Sequence, residues 1–124
     1  MNELAISQLS EQLTDRLYQR FPELESRYGE EGRQKCVEDN KHHYRHLSTA
    51  FAMKDKAIFT QYSEWLNGIL SARGMETVYL KENFRLMEKR FEDQHIDDTN
   101  GENLFYIKCL RESIEQLEIL EHSL

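Results

Sequence analysis

The sequence contains one proline, five glycines and no uninterrupted hydrophobic run longer than four residues. Because a membrane-spanning helix needs about 20 consecutive apolar residues, we expect no transmembrane segment. The N-terminal stretch MNELAISQLSEQL includes acidic residues and lacks a long apolar core, so it does not resemble a signal peptide. The two cysteines form no CxxC pattern, which favours free thiols in a reducing compartment. These features predict a cytoplasmic protein with no membrane partner.

Positive charge is also scarce, and the formal net charge is −7. Binding to nucleic acid or to an acidic membrane surface needs clustered Lys and Arg, so neither is expected as a partner. The sequence has no Gly-x-Ser-x-Gly motif and no glycine-rich loop after a strand, which argues against a serine hydrolase or a phosphate cradle. We therefore predict a protein that is not an enzyme and has no catalytic residues.

What the chain does contain is helical periodicity along most of its 124 residues. Apolar residues recur at steps of three and four, which indicates amphipathic helices and leaves no predicted strand. The expected fold is an all-α single domain, residues 1–124, built as an antiparallel four-helix bundle with an additional N-terminal helix. The predicted helices cover residues 2–19, 30 or 33 to 53, 55–73, 75–93 and 100–122.

Helix boundaries follow from a few residues. Pro22 ends the first helix and opens a short helical turn, residues 22–28, after which Gly29 and Gly32 bracket a polar connection. Asp55 is a candidate N-cap, and Gly74 is a candidate left-handed C′ residue. Residues 94–102 read as a loop, in which Thr99 with Glu102 forms a capping box for the last helix.

The main anomaly lies on the apolar stripe of the helix that ends near residue 53. Two polar residues, Asn40 and His43, occupy stripe positions where apolar residues are expected. The next helix carries Tyr62 on its own stripe, with Trp65 beside it, and both are predicted to close over the polar pair. The candidate ligand-binding residues are Cys36, Asn40, His43, Tyr44, Tyr62 and Trp65.

His43 admits several roles. A lone core histidine is most often a satisfied structural residue that bonds a carbonyl or a tyrosine hydroxyl. It can also be an axial ligand to haem, a contact to another tetrapyrrole, or a pH-sensitive switch. Cys36 and Cys109 are expected to be inert packing residues, with a thioether link to a bilin or a redox role as alternatives.

His42 and His46 are four residues apart on one helix face, which is the spacing that two imidazoles need to bind one metal, and Asp39 could add a carboxylate. A metal site in a bundle, however, draws its ligands from several helices. The remaining histidines lie in the predicted loop and at the C-terminal tail. We therefore expect no native metal site, and we expect His42 and His46 to be solvated.

A resemblance covers about residues 33–90. The spacing Cys36-x-x-Asp39-x-x-x-His43-Tyr44-x-x-Leu47, followed by Phe59-x-x-Tyr62-x-x-Trp65-Leu66-x-x-x-Leu70-x-x-Arg73-Gly74, resembles a helical domain of bacterial signalling and regulatory proteins. In light- or redox-responsive regulators such a domain often precedes a cobalamin-binding domain. The resemblance implies a helical bundle that caps or replaces a ligand site and relays a signal to a partner.

The chain departs from that pattern because the Asp-x-His-x-x-Gly loop of the cobalamin-binding half is missing, so cobalamin binding in the usual manner is not expected. The chain is also similar to the non-haem globin-like sensor domains of stress-signalling proteins, which are helical and often dimeric. Two hypotheses remain. One is a sensory bundle that holds a small ligand, such as a tetrapyrrole, between its helices. The other is a ligand-free interaction module, a homodimer that binds a signalling protein through the apolar residues of its last helix.

Overall fold

The computed structural model describes residues 1–93, 98 and 100–123 and arranges them in five α-helices. No β-strand occurs among these residues, which confirms the all-α class. The helices are α1 (Glu3–Arg20), α2 (Glu23–Met53), α3 (Ala57–Ala72), α4 (Thr77–Asp93) and α5 (Glu102–His122). Four of them lie within a few residues of the predicted ones, whereas α2 begins earlier than predicted because it includes the short turn expected after Pro22.

Each helix packs against at least two others. α1 lies against α2 and α4, α3 lies against α2, α4 and α5, and α5 also contacts α2 and α4. On α4 the apolar residues at steps of four, three and four are all buried, namely Leu80, Phe84, Met87 and Phe91. On α5 the buried stripe consists of Tyr106, Leu110, Ile114 and Leu117, whereas Leu120, near the end of the helix, is 40% exposed. None of the helices in the described ranges is both long and apolar enough to cross a membrane.

At the end of α3, Gly74 adopts a left-handed φ of 86°, which confirms it as the C′ residue. At the start of α3, the Asp55 carboxylate accepts a hydrogen bond from the Ala57 amide at 3.0 Å, but Lys56 holds the N-cap position, one residue later than predicted. At the start of α5, the Asp98 carboxylate accepts the amides of Asn103 and Leu104 at 3.0 and 3.1 Å. The predicted capping box depends on Thr99, which lies outside the described residues, as does most of the predicted loop.

A kink at Gly29 divides α2 into a short first segment, residues 23–28, and a long second one. Gly29 has φ 62° and ψ −160°, a combination open essentially only to glycine. The break agrees with the short turn predicted after Pro22. Gly32, which was predicted to share the connection, lies instead within the helix, so the interruption is a single residue.

Replacing Gly29 with Ala is expected to lower the free energy of unfolding by about 1–3 kcal/mol, because the side chain would force the backbone out of this conformation. Gly68 is the matched control, since it is exposed within α3 and has open space around the position of a Cβ. Gly68→Ala is expected to raise the free energy of unfolding by about 0.5–1 kcal/mol through helix propensity. Urea denaturation of both variants measures the two effects, and equal effects would contradict the strained kink.

Candidate functional site

The two polar residues on the stripe of α2 are buried. Asn40 is 1% exposed and His43 is 2% exposed, while the apolar stripe residues Leu47 and Ala50 are fully buried. The stripe therefore faces the interior, and the two polar side chains enter it together with the apolar ones. A buried polar group is unfavourable without a hydrogen bond, so the partners of each side chain decide what the site can do.

The partner of His43 comes from the next helix. The His43 Nδ1 lies 2.7 Å from the hydroxyl oxygen of Tyr62, and the ring packs edge-on against Phe84 at 5.2 Å between centroids. Burial, together with the smaller effects of the nearby His46 and His42, lowers the pKa of His43 to about 3. The imidazole is therefore neutral, with one nitrogen as donor and the other as acceptor.

Asn40 belongs to a chain of hydrogen bonds that links three helices. The Asn83 amide on α4 donates to Asn40 Oδ1 at 2.6 Å, and the Asn40 amide donates to Thr14 Oγ1 on α1 at 3.1 Å. Thr14 in turn points its hydroxyl at Cys36 Sγ, 3.7 Å away. The chain leaves one end open, because Asn83 Oδ1 is buried and has no partner among the described residues. The site therefore keeps an unused acceptor.

Asn83 and Thr14 were not predicted as site residues. Asn83 lies three residues after Leu80 and four before Met87, so it occupies a stripe position of α4 just as Asn40 does on α2. Thr14 lies next to the buried Leu13 on the inner face of α1. A search for polar residues on every apolar stripe, rather than on one, could have found both.

A partly open pocket of about 290 Å³ lies beside these groups. Its wall is mostly hydrocarbon, and its polar inner surface includes Asn40, His43 and Asn83. Four helices and the connection between α3 and α4 contribute to the apolar wall, through Leu17, Leu24, Leu66, Leu70, Met75 and Leu80. Pockets of this kind, apolar with a few converging polar groups, are the usual form of small-molecule sites in helical bundles.

The structure brings together only part of the predicted set. Cys36, Asn40 and His43 line the pocket, and Tyr62 lies behind His43 as its hydrogen-bond partner. Tyr44 is buried in a different part of the core, with its ring against Phe91 at 6.2 Å. Since neighbouring residues on a helix differ by about 100° in direction, the residue after His43 faces away from the pocket.

Trp65 does not close over the polar pair as expected. It is 62% exposed, because the inward position of this turn is occupied by the next residue, Leu66. The centroid of the Trp65 ring lies 6.4 Å from that of the Tyr62 ring. The assignment of Trp65 followed its residue type rather than its phase on α3.

The histidine pair of α2 lies outside the pocket. His42 is exposed, whereas His46 is half-buried rather than solvated, because its ring stacks on Tyr62 at 3.7 Å between centroids. The His46 Nδ1 donates to the His42 carbonyl oxygen at 2.8 Å. Within residues 1–93, 98 and 100–123, no group of three or more His, Cys, Asp or Glu side chains is placed to hold a metal ion.

Both cysteines are free thiols. Burial raises the pKa of Cys36 to about 11 and that of Cys109 to about 12, so neither is a thiolate at neutral pH. For Cys36 burial outweighs the hydrogen bond from Thr14, which acts in the opposite direction. The thiol of Cys36 thus contributes a weakly polar surface to the pocket rather than a nucleophile.

Comparison of the chain with models of protein families, with curated proteins and with solved structures found no significant match.

Proposed function

We propose that this protein is a non-enzymatic sensory helical bundle that binds a small ligand in the pocket beside His43 and relays its occupancy to a signalling partner. The observation that carries the proposal is the pocket itself, with an apolar wall and a neutral polar inner surface. Asn83 also lines the pocket, and its buried Oδ1 has no partner among the described residues, so a hydrogen-bond donor on a ligand that reached it would complete it.

The volume of the pocket bears on the size of the ligand. A cavity of about 290 Å³ lies at the lower end of the range of about 300–1,000 Å³ that is usual for small-molecule pockets. A tetrapyrrole macrocycle is much larger than this, so the pocket favours a ligand of one or two rings. Binding of a tetrapyrrole, which the sequence suggested as one possible ligand, would require the surrounding helices to separate.

The fold supports a route for the relay. Leu24 and Tyr28, from the short segment before the Gly29 kink, form part of the pocket wall. A ligand that contacts this segment would bias its position, and the kink is where such a movement would be absorbed. The sensory assignment also rests on the resemblance of residues 33–90 to helical domains of bacterial regulators, and we place the protein in the cytoplasm because both thiols are free.

We further propose that α2 to α5 form the antiparallel four-helix bundle, with α1 as the additional helix. All four neighbouring pairs of such a bundle are in contact, namely α2 with α3, α3 with α4, α4 with α5, and α5 with α2. α1 then lies against α2 and α4 and contributes Leu17 and Tyr18 to the pocket.

Filling the pocket tests the proposal. Leu70→Trp places a larger side chain in the half-buried wall, whereas Ile58→Trp makes the same type of change on α3 away from the pocket. The wild-type protein, screened against small metabolites by thermal shift, is expected to gain stability with at least one compound. The Ile58 variant should keep that response and the Leu70 variant should lose it.

A second candidate is a ligand-free homodimer or interaction module. Large apolar side chains are exposed at Trp65 (62%), Ile119 (68%) and Leu120 (40%), and such residues can form a docking surface. If no compound stabilises the wild-type protein, its absorption spectrum shows no bound chromophore and it is dimeric in solution, this second function replaces the first.

A further inference from the structure

Two positively charged side chains lie at the mouth of the pocket. Lys35 on α2 and Arg73 at the end of α3 both line the pocket and are exposed, and neither forms an ion pair with a residue in the described ranges. Other cations of α2 are paired with acidic side chains, such as Lys41 with Glu38 at 3.1 Å.

One acidic side chain, Asp39, shares the mouth with these two cations. It lies four residues after Lys35, on the same face of α2, and no ion-pair contact joins it to either cation. Burial raises the pKa of Asp39, while Lys35, His42 and Arg73 lower it. The two cations and one carboxylate leave a net charge of about +1 at the mouth, which matches a single negative charge on a ligand.

The inner end of the pocket favours a different ligand group, a neutral hydrogen-bond donor. Asn83 Oδ1 accepts no hydrogen bond from the described residues, and the imidazole of His43 is neutral. A ligand group that donates a hydrogen bond, such as a hydroxyl or a ring N–H, would supply the missing partner. A charged group at this end would be buried without a counter-charge, which is unfavourable.

From these two ends we infer the class of the ligand: a small aromatic or aliphatic monocarboxylic acid, with its carboxylate between Lys35 and Arg73, its apolar body in the pocket, and a neutral hydrogen-bond donor beside Asn83. The inference rests on the proposed ligand-binding function and specifies its chemistry. The single net positive charge and the apolar wall favour a carboxylate over a phosphate, which carries more charge and needs more donors.

Three probes with one body and three charges test the mouth. Indole-3-acetate, indole-3-acetamide and tryptamine are negative, neutral and positive, and each can place an indole N–H at the inner end. Isothermal titration is expected to show indole-3-acetate binding about fivefold or more tighter than the amide, and tryptamine weakest, because one partly exposed ionic contact contributes about 1 kcal/mol. Methylation of the indole nitrogen removes the donor and should weaken binding again.

Variants test whether Lys35 and Arg73 cause the preference for the negatively charged probe. The double change Lys35→Gln with Arg73→Gln should bring the affinity for indole-3-acetate down to that of the amide. Lys108→Gln, an exposed lysine outside the pocket, should leave the preference intact.

The outcomes separate the two proposals. Binding of the amide or of tryptamine at least as tightly as the acetate overturns the acid assignment but keeps the ligand pocket. Binding of none of the probes also overturns it, and the metabolite screen with the Leu70→Trp variant then decides the fate of the pocket separately.

Discussion

At pH 8, Asn40→Asp is expected to lower the free energy of unfolding by about 3–5 kcal/mol, the cost typical of an uncompensated buried charge. The change keeps the size and shape of the side chain, so packing is preserved. Asn40 is 1% exposed and has only neutral partners, the Asn83 amide and the Thr14 hydroxyl. The introduced carboxylate would therefore lie in the interior without a cation beside it.

The destabilisation by Asn40→Asp depends on pH. Burial raises the pKa of the introduced carboxyl above its unfolded value of about 3.9. The decrease in the free energy of unfolding is therefore complete above the folded pKa and becomes smaller as the pH falls toward 4. Urea denaturation of wild type and variant at several pH values measures the difference. Asn2→Asp is the control, because Asn2 caps α1 from an exposed position and aspartate caps as well as asparagine. An effect at Asn40 as small as that at Asn2 would show that Asn40 is solvated.

The wild-type protein is expected to lose about 2 kcal/mol of stability between pH 7 and pH 5 through His43 alone. The unfolded chain binds a proton at this residue with a pKa near 6.5, whereas the folded pKa is about 3. The folded pKa is depressed, so stability is highest above pH 6.5 and falls by up to about 1.4 kcal/mol per pH unit down to pH 3. The groups around the ring, Tyr62 on α3 and His42 and His46 on α2, supply no negative charge that would favour protonation.

His43→Gln removes this titration while keeping a group that can bond Tyr62. The difference in unfolding free energy between wild type and variant should therefore narrow or reverse between pH 7 and pH 5. In the wild type, the ring signals of His43 should stay in the neutral form at pH 5. Protonation of His43 at that pH would contradict the buried site.

The sequence predicted the helices and the inward position of the polar pair well, because both depend on periodicity alone. Asn40 and His43 fall on the stripe that ends in Leu47 and Ala50, and the structure buries all four. Tyr44 and Trp65 were assigned to the site because aromatic rings often line pockets. Their positions on the helices already directed them elsewhere: Tyr44, one residue after His43, faces another part of the core, and Trp65, one residue before the buried Leu66, faces outward.

The pocket itself could not be predicted from the stripes. Part of its wall depends on the angle between the two segments of α2 at Gly29, because this angle places Leu24 and Tyr28 near the end of α1. The glycine indicated that the helix would break, but not where the segment before the break would pack. The stripe position of Asn83 on α4 could have been read from the sequence, but its hydrogen bond to Asn40 could not.

The most direct test of a ligand site at this position is an NMR titration with a compound that stabilises the protein, following the side-chain amides of Asn40 and Asn83 and the ring of His43. Asn67, a buried amide of α3 outside the pocket, is the internal reference. We predict saturable shifts at the three pocket residues and none at Asn67. Shifts confined to surface residues such as Trp65 and Ile119, with the pocket signals unchanged, would contradict the account.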